Sequence, residues 1–169
     1  YMLFFTKIMA GPIERHRTFL PQLRKNLEFD YNRVIEGSQL VLWGLFKKVV
    51  IGDTFAIMVT KMHGNIDVVY GPVVVFAFLL QPIQLYCDFS GYTDMAIGFS
   101  RIFGLNLSPN FNQPFLARTV GEFWRRWHIS LSSWCNDFIY NRLLRKHRKW
   151  GDWAAIYAIF VSFMIIGIW

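Results

Sequence analysis

The chain has 169 residues, of which 54% are hydrophobic, 18% aromatic and only 17% charged, against roughly 25% charged residues in ordinary soluble domains. Its mean hydropathy is +0.28, which excludes disorder and leaves too little polar surface to cover a soluble core. The formal net charge of +7 suits anionic lipid headgroups. Because the chain has no zinc-finger spacing and no RNA-binding aromatic motif, nucleic acid is not an expected partner. We therefore expect an integral membrane protein that contacts membrane lipids.

Two basic clusters indicate how the chain is oriented. Six Lys and Arg residues fall within 7–33 and five fall within 142–149, and each cluster adjoins an apolar run. Positive residues beside apolar runs mark cytoplasmic loops. Two candidate membrane windows lie between the clusters, so both clusters are expected on the cytoplasmic side.

The two windows differ in quality. Residues 37–60 are interrupted by Lys47, Lys48 and Asp53, which predicts either a tilted helix with snorkelling lysines or a broken, partly interfacial helix. Residues 68–87 carry no charge. Because a bilayer core takes about 20 apolar residues in a helix, this second window is the clearest candidate for a complete span.

The remainder of the chain alternates amphipathic and apolar sequence. Residues 88–142 are aromatic and amphipathic with a cluster of Pro and Asn turn signals near position 110, which predicts re-entrant or interfacial helices. Residues 153–169 are again uncharged. The expected fold is all-α, a polytopic transmembrane helical bundle. We expect residues 1–169 to be one partial membrane-embedded domain, truncated at both ends, because the chain opens and closes inside apolar runs.

The densest group of polar and aromatic side chains occupies residues 123–134. On a helix, Trp124, His128 and Ser132 would share one face, with Arg125 beside them. Histidine is the natural general base near neutral pH, and a neighbouring arginine or a desolvating tryptophan favours its neutral form. The alternative is an interfacial aromatic belt in which the arginines reach headgroups and the histidine is only packed.

Acidic residues follow the most apolar window. A carboxylate at membrane depth is costly and usually faces a cavity or a partner, which makes Asp88 a candidate pocket residue. The alternative is that Asp88 caps a following helix. Asp94 is expected to pair with a basic residue such as Arg101. No metal site is predicted, because no two ligand types lie one helical turn apart around His128 and the two cysteines lack C-x-x-C spacing.

Four passages, taken together, carry a family resemblance. They are residues 7–14, ending in Ala-Gly-Pro-Ile-Glu; residues 44–48, Gly-Leu-Phe-Lys-Lys; residues 86–96, Tyr-Cys-Asp-Phe-Ser-Gly-Tyr-Thr-Asp-Met-Ala; and residues 123–134. With these passages in family order, the chain resembles the membrane-bound O-acyltransferase family, in particular its bacterial alginate O-acetyltransferase-like branch.

The resemblance implies a polytopic O-acyltransferase of the bacterial inner (cytoplasmic) membrane. It implies transfer of an acyl group, with acetyl as the expected one, from a cytoplasmic thioester to hydroxyls of an exported or cell-envelope polysaccharide. The donor would be a coenzyme A or an acyl-carrier-protein thioester, with no bound cofactor, and other envelope polysaccharide-modification proteins would be partners. The alternatives are a transporter or channel fragment and a structural subunit of a polysaccharide export complex.

The resemblance also suggests site residues. His128 resembles the first of the branch's two functional histidines and is the expected catalytic residue of this chain. The second histidine of the branch follows a Gly-x-Trp sequence, and Gly167-Ile168-Trp169 resembles that lead-in. We therefore expect a histidine after Trp169 and no activity from these 169 residues alone. The reaction chamber is expected to include Asp88, Trp124, Arg125, Trp127 and Ser132.

Overall fold

The computed structural model describes residues 6, 11–25, 27–64 and 71–168. These residues form helices, turns and loops and contain no strand, which confirms the all-α class for this part of the chain. The contacts divide the chain into two compact units, Tyr1–Pro109 and Asn110–Trp169. The expectation of a single domain stays a prediction.

Within its described residues, the first unit is built from four α-helices and one π-helical segment. The segment at Phe46–Gly52 joins α2 to α3 without a gap, so the predicted interruption at Lys47 and Lys48 is a local widening of the helix and not a break. Such π-helical turns often occur at functional sites. The four helices are α1, His16–Leu23; α2, Tyr31–Leu45; α3, Asp53–His63; and α4, Gly71–Ile102.

Helix α4 has 32 residues and is the one helix in the described residues that is long and apolar enough to cross a membrane. The first three residues of the predicted 68–87 window lie outside the described residues. The predicted end at residue 87 is wrong, because the helix continues to Ile102. It ends where Gly104 takes a φ of 75°. There the N–H groups of Gly104 and Leu105 donate to the carbonyls of Arg101 and Ser100, both over 2.8 Å, a Schellman arrangement.

Glycines bring α2 and α4 into close antiparallel contact. A Cβ at Gly44 would lie 2.5 Å from the carbonyl oxygen of Gly91, and a Cβ at Gly37 would lie 2.7 Å from that of Gly98. The two backbones therefore touch at points seven residues apart along each helix. Small residues at such crossings are typical of helix pairs in membranes, where dispersion contacts and not the hydrophobic effect hold helices together.

Helix α1 packs on the loop that follows α4. Phe19 is fully buried against Leu105 and Leu107. The side chain of Gln22 also bonds the backbone of Asn106 in both directions, accepting from its N–H over 2.8 Å and donating to its carbonyl over 3.2 Å. The loop is therefore fixed at its start, before the chain enters the second unit.

The second unit begins with an irregular segment and continues through short helices. Helices of six or seven residues cannot span a bilayer core, which needs about 20 residues, and the described part of α8, Asp152–Ile168, is apolar over 17 residues. The prediction of re-entrant or interfacial helices is wrong for residues 88–102, which belong to α4; for the rest it stays a prediction, as does the polytopic bundle. The helices are α5, Val120–Arg126; α6, Ile129–Cys135; α7, Asn141–Lys146; and α8, Asp152–Ile168, with a π-helical segment at Asn136–Tyr140.

Candidate functional site

His128 lies at a sharp junction between α5 and α6. Its backbone is left-handed, with φ 43° and ψ 56°. Helix α5 closes with the N–H of Trp127 donating to the carbonyl of Phe123 over 2.8 Å, and α6 opens with the N–H of Ser132 donating to the carbonyl of His128 over 3.0 Å. The prediction that Trp124, His128 and Ser132 share one face of a single helix is therefore wrong, because the helical phase is interrupted at His128.

A segment that precedes α5 runs alongside this junction. The N–H of Asn112 donates to the carbonyl of Arg126 over 2.9 Å, and the N–H of Ile129 donates to the carbonyl of Asn110 over 2.9 Å. The side-chain oxygen of Asn110 also accepts from Ser130, from its hydroxyl over 2.6 Å and from its N–H over 3.3 Å. Hydrogen bonds therefore hold the backbone on both sides of His128.

Aromatic rings pack around the junction. The Trp127 ring stacks on Phe123 with centroids 5.6 Å apart and meets Phe111 edge-on at 5.0 Å. Trp124 contacts Phe123 at 5.4 Å and Phe163 of α8 at 5.1 Å. Edge-to-face and offset-stacked pairs of this kind fix ring orientation as well as burying area. The two tryptophans predicted as chamber walls therefore belong to one aromatic network.

The imidazole of His128 is half-buried, and its burial has a direct electrostatic effect. Burial lowers the pKa of His128 to about 4, because the charged form loses hydration. The side chain is therefore neutral at neutral pH. Burial therefore acts in the direction that the sequence predicts, toward the neutral, proton-accepting form, and the catalytic role of His128 stays a prediction.

A pocket of about 150 Å³ lies between α6 and α8. Trp124 and Ser132 both line it, so the structure brings these two predicted residues together although they lie on different helices. The Ser132 hydroxyl donates to the carbonyl of Trp127 over 3.3 Å. The lining is mainly aromatic and aliphatic, with a few hydroxyl, amide and thiol groups: Trp124, Ser132, Cys135, Asn136, Tyr140, Ile159, Ser162, Phe163 and Ile166.

The two arginines of the motif differ in their surroundings. Arg126 donates to the carboxylate of Glu122 over 2.6 Å, and Glu122 also accepts from the N–H of Arg118 over 2.8 Å. The backbone N–H of Arg118 holds the pKa of Glu122 below its usual range, and the guanidinium of Arg126 lowers it further. Arg125 is exposed on α5, so its guanidinium, unlike that of Arg126, is accessible to an anionic ligand.

Asp88, the remaining predicted site residue, lies in the first unit, in the middle of α4. Its carboxylate pairs with the ammonium of Lys48, which also lies 3.2 Å from Asp53. The alternative in which Asp88 caps a following helix is wrong, because α4 is continuous through this position. The side chain is partly exposed, at 38%, so the chamber role stays a prediction.

Asp94 does not pair with Arg101. Its carboxylate lies 2.5 Å from the ammonium of Lys47 on the π-helical segment, and Lys47 also donates to the hydroxyl of Ser90 over 3.1 Å. Arg101 lies 3.5 Å from Glu36 on α2. The expectation was based on distance along α4 alone, whereas the π-helical segment brings a lysine of another helix much closer.

Sequence reasoning identified His128 but missed Asn110. The sequence predicts only a turn at Asn110, yet this residue is 1% exposed and bonds the first turn of α6. The residue type was a usable signal, since an asparagine side chain in a turn often bonds nearby backbone. The sequence does not show which backbone groups Asn110 bonds. Within the described residues, no group of three or more His, Cys, Asp or Glu side chains is arranged to hold a metal ion.

Comparisons with known proteins bear on this site. The family described as MBOAT, membrane-bound O-acyltransferase family, matches residues 1–169. The chain is 36% identical over its whole length to the protein named Probable alginate O-acetylase AlgI of Pseudomonas syringae pv. tomato. It is 34% identical to the teichoic acid D-alanyltransferase of Bacillus subtilis and 35% identical to the peptidoglycan O-acetyltransferase of Helicobacter pylori, again over the whole chain.

The chain spans only part of each of these relatives. It covers 32% of the Pseudomonas syringae protein, 45% of the Bacillus subtilis protein and 32% of the Helicobacter pylori protein. The whole of this chain is therefore matched, and it spans about a third to somewhat less than half of each relative's length.

Proposed function

The chain belongs to the membrane-bound O-acyltransferase family, and from that premise we propose that it forms part of a membrane enzyme that O-acylates a polysaccharide. The expected acyl group is acetyl, the donor is a cytoplasmic coenzyme A or carrier-protein thioester, and the acceptor is an exported or cell-envelope polysaccharide. The bacterial inner membrane is the expected location, because there a cytoplasmic donor and an exported acceptor can meet.

The relatives support the class of acceptor. Their names describe acyl transfer to alginate, teichoic acid and peptidoglycan, which are all polymers with acceptor groups outside the cytoplasm. Two of the three names specify an acetyl group or acetylase activity. Other envelope polysaccharide-modification proteins are proposed as partners on the same ground.

His128 is the observation that carries the proposal. Its neutral imidazole can accept the proton of a sugar hydroxyl as the hydroxyl oxygen attacks the thioester carbonyl carbon. The new C–O bond forms as the C–S bond breaks, and the imidazolium returns the proton to the leaving thiolate. A half-buried, aromatic surrounding also limits water near the thioester, which reduces hydrolysis.

Direct transfer fits the described side chains better than an acyl-enzyme on Cys135. This thiol lines the pocket and is buried, and burial raises its pKa. Because the thiolate is the nucleophile, a raised pKa makes the group unreactive at neutral pH. The acyl group is therefore proposed to pass from thioester to hydroxyl in one displacement.

The other proposed chamber residues have distinct roles. Trp124 and Ser132 form part of a pocket wall, and Trp127 holds the aromatic network beside His128. Arg125 offers an exposed guanidinium, which suits the phosphate groups that both candidate thioester donors carry. Asp88 is proposed to act in the chamber through its ion pair with Lys48.

The test is His128→Ala in the intact protein, expressed in its own membrane, with acyl incorporation into polysaccharide as the readout. His16→Ala is the matched control, because His16 is an exposed histidine at the start of α1. We expect loss of incorporation of about 100-fold or more in the first variant and none in the second, with equal membrane insertion. Altered solute flux without a change in acylation would favour the transporter alternative. A silent His128→Ala would favour the structural-subunit alternative.

A further inference from the structure

The backbone around His128 is held by two facing segments, residues 110–113 and 126–130. Five hydrogen bonds join them, through Asn110, Asn112 and Gln113 on one side and Arg126, Ile129 and Ser130 on the other. These bonds fall on Arg126, two residues before His128, and on Ile129 and Ser130, directly after it. The segment 110–113 therefore constrains the junction from both ends.

The junction needs such a constraint, because His128 is in a conformation that is unfavourable for residues with a Cβ. It is one of two non-glycine residues in the described ranges with a positive φ, and the other is Gln113 in the facing segment. Left-handed backbone of this kind persists only where the surroundings impose it. Without the constraint, residues 124–132 would be free to form the single helix that their sequence pattern predicts, and the imidazole would change direction.

Asn110 supplies three of the five bonds. Its carbonyl accepts from the N–H of Ile129, and its Oδ1 accepts from the hydroxyl and the N–H of Ser130. The side chain is 1% exposed, and its Nδ2 has no hydrogen-bond partner among the described residues. Burying an amide whose N–H donor is unsatisfied costs free energy, and the Oδ1 bonds to the first turn of α6 offset that cost.

We propose that Asn110 is the positioning residue for His128: it fixes the first turn of α6 and thereby holds the imidazole in the direction required for proton transfer. Asn110 itself is buried and does not touch the substrate. The inference rests on the proposed function, because it assigns a role to a residue that acts through the catalytic histidine.

The experiment compares Asn110→Ala with Asn112→Ala in the intact purified protein. Asn112 is the matched control, because it lies two residues away and its side chain is exposed. It bonds the facing segment 126–130 through its backbone N–H, which alanine retains. Steady-state kinetics with a polysaccharide acceptor should show kcat lowered about 10- to 100-fold in Asn110→Ala with KM nearly unchanged. Asn112→Ala should match the wild type.

A second readout does not depend on acyl transfer. Diethylpyrocarbonate modifies neutral imidazoles, and mass spectrometry gives the rate at His128 relative to exposed His16 within the same molecule. We expect this ratio to rise several-fold in Asn110→Ala, because the imidazole becomes free to turn outward, and to stay constant in Asn112→Ala. If His128→Ala proved active, the proposed function would fail, while the modification ratio would still test the positioning role.

Ser130→Ala provides a milder variant in case Asn110→Ala does not fold. It removes the 2.6 Å hydroxyl bond to Asn110 and leaves the N–H bond, so kcat and the modification ratio should shift in the same direction by a smaller factor. The proposal is overturned if folded Asn110→Ala has the kcat and modification ratio of Asn112→Ala. If only Ser130→Ala folds, wild-type values for both measurements overturn it.

Discussion

Lys47 and Asp94 join the π-helical segment to α4 through an ion pair of 2.5 Å, with only 11% and 23% of the two side chains exposed. The ammonium also donates to the hydroxyl of Ser90. Charges removed from solvent in this way are stable only while both partners are present, because either one alone is a desolvated, uncompensated charge. The pair therefore fixes which face of the π-helical segment meets α4.

Lys47→Ala is expected to lower the free energy of unfolding by about 3 kcal/mol, because it leaves Asp94 without its partner. Glu36→Ala is the control, since it breaks the 3.5 Å pair with Arg101, whose side chains are 39% and 63% exposed. An exposed pair contributes at most about 1 kcal/mol. The measurement is a denaturant titration of the purified protein, followed by circular dichroism. Equal losses in the two variants would show that the Lys47 pair is no more important than a surface pair.

Gly44→Ala tests the close contact of α2 with α4. The new Cβ would lie 2.5 Å from the carbonyl oxygen of Gly91, so the helices must separate, at a cost of about 1–3 kcal/mol. Gly121→Ala in α5 is the control, because its nearest neighbour is the end of the Arg125 side chain at 3.8 Å. That change should be neutral or stabilising by up to about 1 kcal/mol. The same denaturant titration separates the two, and an unaffected Gly44→Ala would contradict the packing.

The sequence could predict what depends on composition and local pattern. Mean hydropathy and charge-free runs indicated helices and a candidate membrane span in α4, and the polar and aromatic group at residues 123–134 indicated His128, whose role stays a prediction. The end of α4 was misplaced because the uncharged run stops at Asp88, and the sequence does not show which residues neutralise Asp88 and Asp94 within the helix pair. Those partners, Lys48 and Lys47, lie 40 and 47 residues earlier in the sequence, and no periodicity within one segment reveals them.

The junction at His128 could not be predicted for a related reason. Residues 124–132 contain no proline or glycine, so their local preference is one continuous helix. Hydrogen bonds from Asn110, twenty residues away from Ser130, override that preference. Tertiary contacts of this kind are where propensity arguments fail, and strained backbone of this kind is common at functional sites.

The pKa of His128 predicts how stability depends on acidity. Burial lowers it to about 4 in the folded protein, whereas the unfolded chain should have the ordinary value of about 6.5. Between these values the unfolded state binds the extra proton, so stability should fall as pH decreases from about 6.5 to 4.

Thermal unfolding between pH 4 and pH 7 measures this effect as the difference between wild type and His128→Gln. We expect the melting temperature of the wild type to decrease more than that of the variant as the pH falls from about 6.5 to 4. His16→Ala is the control that removes an exposed histidine and leaves the His128 junction intact. Parallel curves for the wild type and His128→Gln would show that His128 has the same pKa in both states.

Two adjacent serines of α6 provide the last prediction. Ser132 lines the pocket and donates to the carbonyl of Trp127, whereas Ser133 is exposed. Ser132→Ala removes a bond of about 0.5–1.5 kcal/mol, which corresponds to a decrease of about 2- to 10-fold in kcat/KM if it steadies the chamber. Ser133→Ala should leave kcat/KM unchanged. The measurement is the rate of acyl transfer by the two purified variants. A loss in Ser132→Ala alone would show that the pocket takes part in the reaction. Unchanged rates in both variants would show that it is only a packing gap.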